Sequence, residues 1–161
     1  MERSRGCALL LALALALSCM PARVRAELAT FSASKIVIET EKGKFPFNVE
    51  LAVTQAQMGQ GLMFRRSLAS DAGMLFDYGE PQTIARNMKN VLLPLDFVFI
   101  GKDGKVVDIR ERAVPLSLDA IVSGAPARAL LEVNGGTSAR LGLKVGDIVH
   151  HAFFGNAVGS D

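Results

Sequence analysis

The chain has 161 residues, half of them hydrophobic, with 18 basic and 16 acidic side chains, two cysteines and no tryptophan. That length can bury one sizeable core without staples, and a formal charge of +2 without a basic cluster gives nucleic acid no footing. Both cysteines, Cys7 and Cys19, fall in the first 26 residues, which leaves no disulfide or thiol chemistry for the rest.

Residues 1–26 read as a secretory signal peptide. Arg3 and Arg5 form a positive start, Ala8 to Leu17 an apolar run, and Val24-Arg25-Ala26 a small-residue cleavage site, with cleavage after Ala26. The run is too short to span a bilayer, which takes about 20 residues. The competing reading is lipidation at Cys19, but Ala16-Leu17-Ser18 is a poor lipoprotein box. The leader carries four of the basic residues and one of the acidic ones, so the mature chain is close to neutral, near −1. An exported domain follows, periplasmic or extracellular, with no membrane span after processing.

Residues 27–34 are expected to be a mobile lead-in. Lys35 to Thr40 alternates and is β-branched, and Phe47 to Val53 alternates again after Lys42-Gly43-Lys44, which predicts a hairpin. Thr54-Gln55-Ala56-Gln57 fits a capping box and opens a short helix to about Met63, weakened by Gly59 and Gly61. Further strands are expected at Gly73 to Phe76, Ile84 to Lys89 and Leu95 to Ile100. The last of these turns at Gly101-Lys102-Asp103-Gly104 into Lys105 to Glu111 as a second hairpin. Ala127 to Val133 reads as a strand, Thr137 to Leu141 as one helical turn with Gly142 as its C-cap, and Ile148 to Phe154 as the final strand. Residues 155–161 read as a frayed tail. Seven or eight short strands with little helix predict one mainly β domain over 35–154, a compact β-sandwich, jelly-roll-like or barrel-like, with one or two short helices.

Six segments then occur in a recognisable order: Gln60-Gly61-Leu62-Met63-Phe64-Arg65, Gly73-Met74-Leu75-Phe76, Met88-Lys89-Asn90, Pro94-Leu95-Asp96, Leu131-Glu132, and Leu141-Gly142-Leu143-Lys144-Val145-Gly146-Asp147. Together they resemble the domain-of-unknown-function family 192 (DUF192), over roughly Val49 to Val149. The resemblance implies a compact, mainly β, often exported domain, and it implies no activity. The chain departs from the family at one point. Where the family usually has Phe-Trp-Met-Lys-Asn-Thr, this chain has Arg86-Asn87-Met88-Lys89-Asn90-Val91. A pocket shaped by those aromatics would here be more open and more polar.

Polar residues in apolar strands need partners, because unpaired burial costs a few kcal/mol. Lys89, Asn90 and Asp96 stand in such a setting. They read as a partly buried Lys89–Asp96 ion pair, with Asn90 stapling a loop. With Arg65 and Glu132 they could instead line a ligand site. Met58, Met63, Met74 and Met88 suit a core better than copper, since they lack dense spacing. His150 and His151 are neighbours on a strand and cannot share one ion, so no metal is expected, and no cofactor. No nucleophile stands out: there is no Gly-x-Ser-x-Gly elbow. The segment Ser138 to Val149 resembles the closing corner of a PDZ domain, and Gly142, Gly146 and Asp147 read as its turn geometry. The sequence thus points to a non-catalytic exported module that contacts a small polar ligand or an envelope protein through Arg65, Lys89, Asn90, Asp96 or Glu132. The rival is a hydrolase using the Asp96 or Glu132 carboxylate, and a third reading is a purely structural accessory.

Overall fold

The structure is a computed structural model that describes residues 28–158. The leader, its cleavage site, Cys19 and residues 159–161 lie outside the described residues. Among the described residues no helix is long and apolar enough to cross a membrane.

Strands β1 (Ser32–Thr40) and β2 (Gly43–Ala52) form the expected antiparallel hairpin, with Ile36 opposite Phe47 and Ile38 opposite Phe45. Their alternation buries Ile36, Ile38, Phe47 and Val49 on one face. β1 begins three residues inside the expected lead-in, because Ser32 to Ser34 find ladder partners at Leu51 to Val49. Helix α1 (Gln55–Gln60) starts in the predicted capping box: Thr54 Oγ1 accepts from Gln57 N at 3.2 Å, and Gln57 Oε1 accepts from Thr54 N at 3.0 Å. It stops at Gly61, short of the expected Met63, because Gly61 turns to φ +49°.

β3 (Ala72–Gln82) returns parallel to β2. A parallel pair needs a crossover of about a dozen residues or more, and α1 with the loop to Asp71 supplies it. β5 (Leu95–Ile100) and β6 (Val106–Ala113) make the second hairpin, and β8 (Ala127–Asn134) lies between β5 and β3. After α2 (Thr137–Leu141), β9 (Ile148–His150) joins the outer edge of β1. The predicted strand at Ile84 to Lys89 is only β4 (Ala85–Arg86), paired with β7 (Ile121–Val122) in a ribbon of its own.

The sheet runs β6-β5-β8-β3-β2-β1-β9 and curls until its two edges approach. Lys105 bridges Ile148, Val106 N donates to Asp147 O at 2.8 Å, and Val149 N donates to Gly104 O at 2.8 Å. The mainly β expectation holds, and of its three forms the barrel-like one is observed, as a half-barrel. Meeting edges leave few open ladder groups for other chains.

One cluster, including Ile36, Phe47, Leu75, Val98, Leu131 and Val149, draws on strands across the whole sheet and fills the curl. A second, including Met74, Phe76, Phe97, Phe99 and Leu130, covers the other face of β3, β8 and β5 and is roofed by Leu62, Ile84, Met88 and Val91. β5 is therefore buried on both faces, which explains its unbroken apolar run apart from Asp96. Met74 and Met88 are core, with Met58 and Met63 packed beside them. The final strand ends at His150 and passes into a 3₁₀ turn at Ala152–Phe154. The first residues of the expected tail are tied down: Asn156 accepts from His151 N at 3.0 Å and donates to Val149 O at 3.2 Å.

Candidate functional site

Asp96 and Lys89 do not meet. Asp96 is fully buried at the start of β5, on the side of the sheet that faces the curl. Its Oδ1 accepts from Arg112 N and Gly136 N, both at 2.9 Å, and its Oδ2 from Ser138 N at 2.8 Å. Arg112 (φ +52°) and Gly136 (φ +91°) are both left-handed residues, so one carboxylate fixes the end of β6 and the start of α2. Lys89 is exposed at the tip of a turn, its N–H donating to Asn87 Oδ1 at 3.1 Å. The expected ion pair is replaced by three backbone amides, which reach Asp96 from segments that come together only in the fold.

Asn90 does staple a loop, through its backbone. It sits at φ +59°, and its carbonyl accepts from Phe64 N at 2.9 Å. Arg65 pairs with Glu50 and lies 5.9 Å over the Phe31 ring, tying the loop after α1 to β2. Glu132 stands apart from all four. It lies on β8 opposite Met74 and Phe97, among the second apolar cluster, with 3% of its surface exposed. Asp96 and Glu132 occupy neighbouring strands, one register step apart, yet alternation sends them to opposite faces. They do not form the facing carboxylates that glycoside hydrolysis requires.

Glu132 opens instead onto a cleft of about 280 Å³. Arg86 forms part of the wall, its Nε 3.9 Å from Glu132 Oε1. Burial pushes the Glu132 carboxyl up to about 7, opposed by the Arg86 charge. Arg86 is itself held in place: Nη1 donates to Met58 O at 2.9 Å, and the guanidinium stacks 4.6 Å over Phe76. Gly61 permits that stacking, since a Cβ there would lie 3.3 Å from both Arg86 Nη2 and the Phe76 ring. Arg86 also borders an adjoining cleft that Tyr78 lines. The Tyr78 hydroxyl is buried without a hydrogen-bond partner, and burial pushes its pKa up while Arg86 pulls it down. Asp77, on the same cleft, is committed to Arg128 at 3.0 Å.

Of the residues that line this cleft, sequence reasoning singled out only Glu132. Arg86 and Tyr78 were missed as site residues. The signal for Arg86 was the departure from the family pattern, and all three departing positions, Arg86, Asn87 and Val91, line the cleft.

The remaining constellations are structural. His150 Nε2 meets Glu39 at 2.6 Å, while His151 Nε2 meets Ser34 Oγ at 3.0 Å, so the two imidazoles serve different partners. His151 Nδ1 accepts from Phe153 N at 3.2 Å, which places the proton on Nε2 and leaves no base for Ser34. Among the described residues no three His, Cys, Asp or Glu side chains gather as metal ligands. Asp147 caps Lys144 N at 2.8 Å, in the turn geometry expected.

The family model DUF192, described as "Uncharacterized ACR", matches residues 36–151. Two solved structures are similar across nearly their full length. One, from Sinorhizobium meliloti and provisionally described as a transcription regulator, is 43% identical, with a TM-score of 0.75 over 78% of this chain and 98% of its own. The other, a protein of unknown function from Novosphingobium aromaticivorans, is 35% identical, with a TM-score of 0.72 over 81% and 99%. No curated protein matches the chain. The matched span runs from β1 through the closing strand β9 and includes both Arg86 and Glu132, and on that match the chain belongs to the DUF192 family.

Proposed function

We propose that the protein is an exported, non-catalytic binding domain whose small polar ligand occupies the cleft walled by Arg86 and Glu132. The observation that carries this reading is the Arg86–Glu132 pair. A buried carboxyl and a half-buried guanidinium face each other across an open cleft at 3.9 Å, without a close hydrogen bond. Convergent polar groups in a concave apolar setting are what a small-molecule site looks like. Arg65, Lys89, Asn90 and Asp96 support this site from outside: Asn90 and Arg65 fix the loop after α1, Lys89 N holds the Asn87 amide oxygen, and Asp96, at the start of β5, fixes the end of β6 and the start of α2. Export rests on the three-part leader. An envelope protein is the other partner class, and it would need a surface rather than a cleft.

Expression with the native leader tests both parts. The protein is expected in the periplasmic fraction, beginning at Glu27 by intact mass, and uncleaved protein in the cytosol would overturn export. Thermal unfolding of that material is then followed with panels of small acids, sugars and amino acids. Ligand at a hundred times its Kd adds about 2.7 kcal/mol, a rise of several degrees for a domain of this size. One class is expected to raise the Tm of wild type and to lose that effect in Arg86→Met. A shift that survives Arg86→Met would remove the cleft from consideration.

A further inference from the structure

The polar lining of the cleft is nearly all donor. Besides Glu132 it consists of Gln60, Arg86 and Asn87. Gln60 Oε1 is already taken by Ala29 N at 2.7 Å, and Asn87 Oδ1 by Lys89 N at 3.1 Å. Each amide therefore presents its NH₂ group, and neither NH₂ has a partner among the described residues. Arg86 spends Nη1 on Met58 O, and its Nε lies 3.9 Å from Glu132 Oε1. Among the side chains described in the lining, Glu132 is the one acid, and its state decides what the cleft offers. Ionised, it neutralises Arg86 and repels an anion. Protonated, it becomes a further O–H donor and leaves the guanidinium charge unanswered.

We propose that the cleft is a proton-coupled site for a small monocarboxylate, which lies against Arg86 and accepts the O–H of a protonated Glu132, and which leaves when Glu132 ionises and reclaims Arg86. This rests on the cleft being the binding site, as argued above. A single carboxylate matches the one guanidinium in charge and in its two-pronged geometry. A dianion would leave one charge uncompensated in a half-buried site. The groups facing Glu132 are few. Arg86 comes from β4 and Tyr78 from β3, Met74 and Phe97 flank it on β3 and β5, and Gln60 and Asn87 are uncharged. Among the described residues Arg86 is the charge that acts on the carboxyl; Asp77 on the adjoining cleft is paired with Arg128, and Lys89 is exposed. The carboxyl, sitting near 7, changes state across ordinary envelope pH.

Calorimetric titration of the leader-processed protein with acetate, lactate and benzoate, at pH 5.5 and 8.0, tests the coupling, with the corresponding neutral amides as controls. Wild type is expected to bind at least one carboxylate about tenfold more weakly at pH 8.0, because one protonation site near 7 is linked to binding. It should also take up close to one proton per anion at that pH, read from heats in two buffers of different ionisation enthalpy. Glu132→Gln should bind with neither the pH dependence nor the proton uptake. The wild-type proton count serves by itself if the variant folds poorly. Carboxylate binding that is Arg86-dependent but indifferent to pH would overturn the coupling and leave the cleft intact. Binding of an amide as tightly as its carboxylate would overturn the ligand class. Failure of every ligand in the wider thermal screen would remove the cleft reading itself, and the coupling with it.

Discussion

Asp96 and Lys89 show how differently two charges in one segment are used. Asp96 accepts three backbone N–H groups and is fully buried, whereas Lys89 is exposed. Stripping buried donors of their acceptor costs about 1–3 kcal/mol per group. Asp96→Ala should therefore lose about 3–5 kcal/mol in urea unfolding, within the exceptional range for single substitutions. Lys89→Ala should stay within about 0.5 kcal/mol of wild type. Equal losses in the two variants would restore the ion pair that the sequence suggested. That an aspartate in an apolar strand must be satisfied was legible. Its partners were not, because Arg112, Gly136 and Ser138 are distant in sequence and offer only main-chain amides, which no side-chain pattern marks.

The elements whose signals are local appear where the sequence put them. The Thr54–Gln57 box lies within four residues, and the two hairpins are set by their own turns and alternation. The β4 segment failed as a strand because its ladder partner is the two-residue β7, far along the chain. Closure of the sheet is a property of elements too. Gly104 sits at the β6–β9 seam at φ +84°, and a Cβ there would lie 2.6 Å from Val149 O and press on the Asn156 amide. Gly79 has nearly the same φ, +82°, but open space around it. Gly79→Ala should cost about 1 kcal/mol from backbone strain alone. Gly104→Ala should cost about 2–4 kcal/mol, since strain and overpacking add. Thermal unfolding of both variants checks this, and equal costs would mean that the seam contributes nothing to the fold.

Across the whole molecule, two buried titratable groups pull stability in opposite directions. Burial lowers the pKa of His151, so its contribution is lost as pH falls below the ordinary value of 6.5. Glu132 is raised from 4.5 to about 7, so the folded state holds a proton that the unfolded chain releases. Its contribution is full below 4.5 and is lost as pH rises to 7. That shift corresponds to about 3 kcal/mol. Wild-type stability therefore sums opposing slopes, and the difference between Glu132→Gln and wild type isolates one of them. In guanidinium unfolding the variant should gain about 2–3 kcal/mol relative to wild type between pH 5 and pH 8. A flat difference would mean that Glu132 ionises as freely as an exposed carboxylate.

The sequence by itself determined the two hairpins, the cap of α1, the turn at Gly142 and the family, because each rests on residues near one another in the chain or on an ordered set of short motifs. It also marked three positions, Arg86, Asn87 and Val91, at which it leaves the family pattern. Only the tertiary structure decided what those residues face. The curl and the parallel crossover bring Arg86 from a short ribbon onto Glu132 in the central sheet. The alternation of β5 and β8 sends Asp96 and Glu132 to opposite sides. A polar residue in an apolar strand announces that it needs a partner, but which partner it finds depends on register and layer, and these are settled only when the sheet closes.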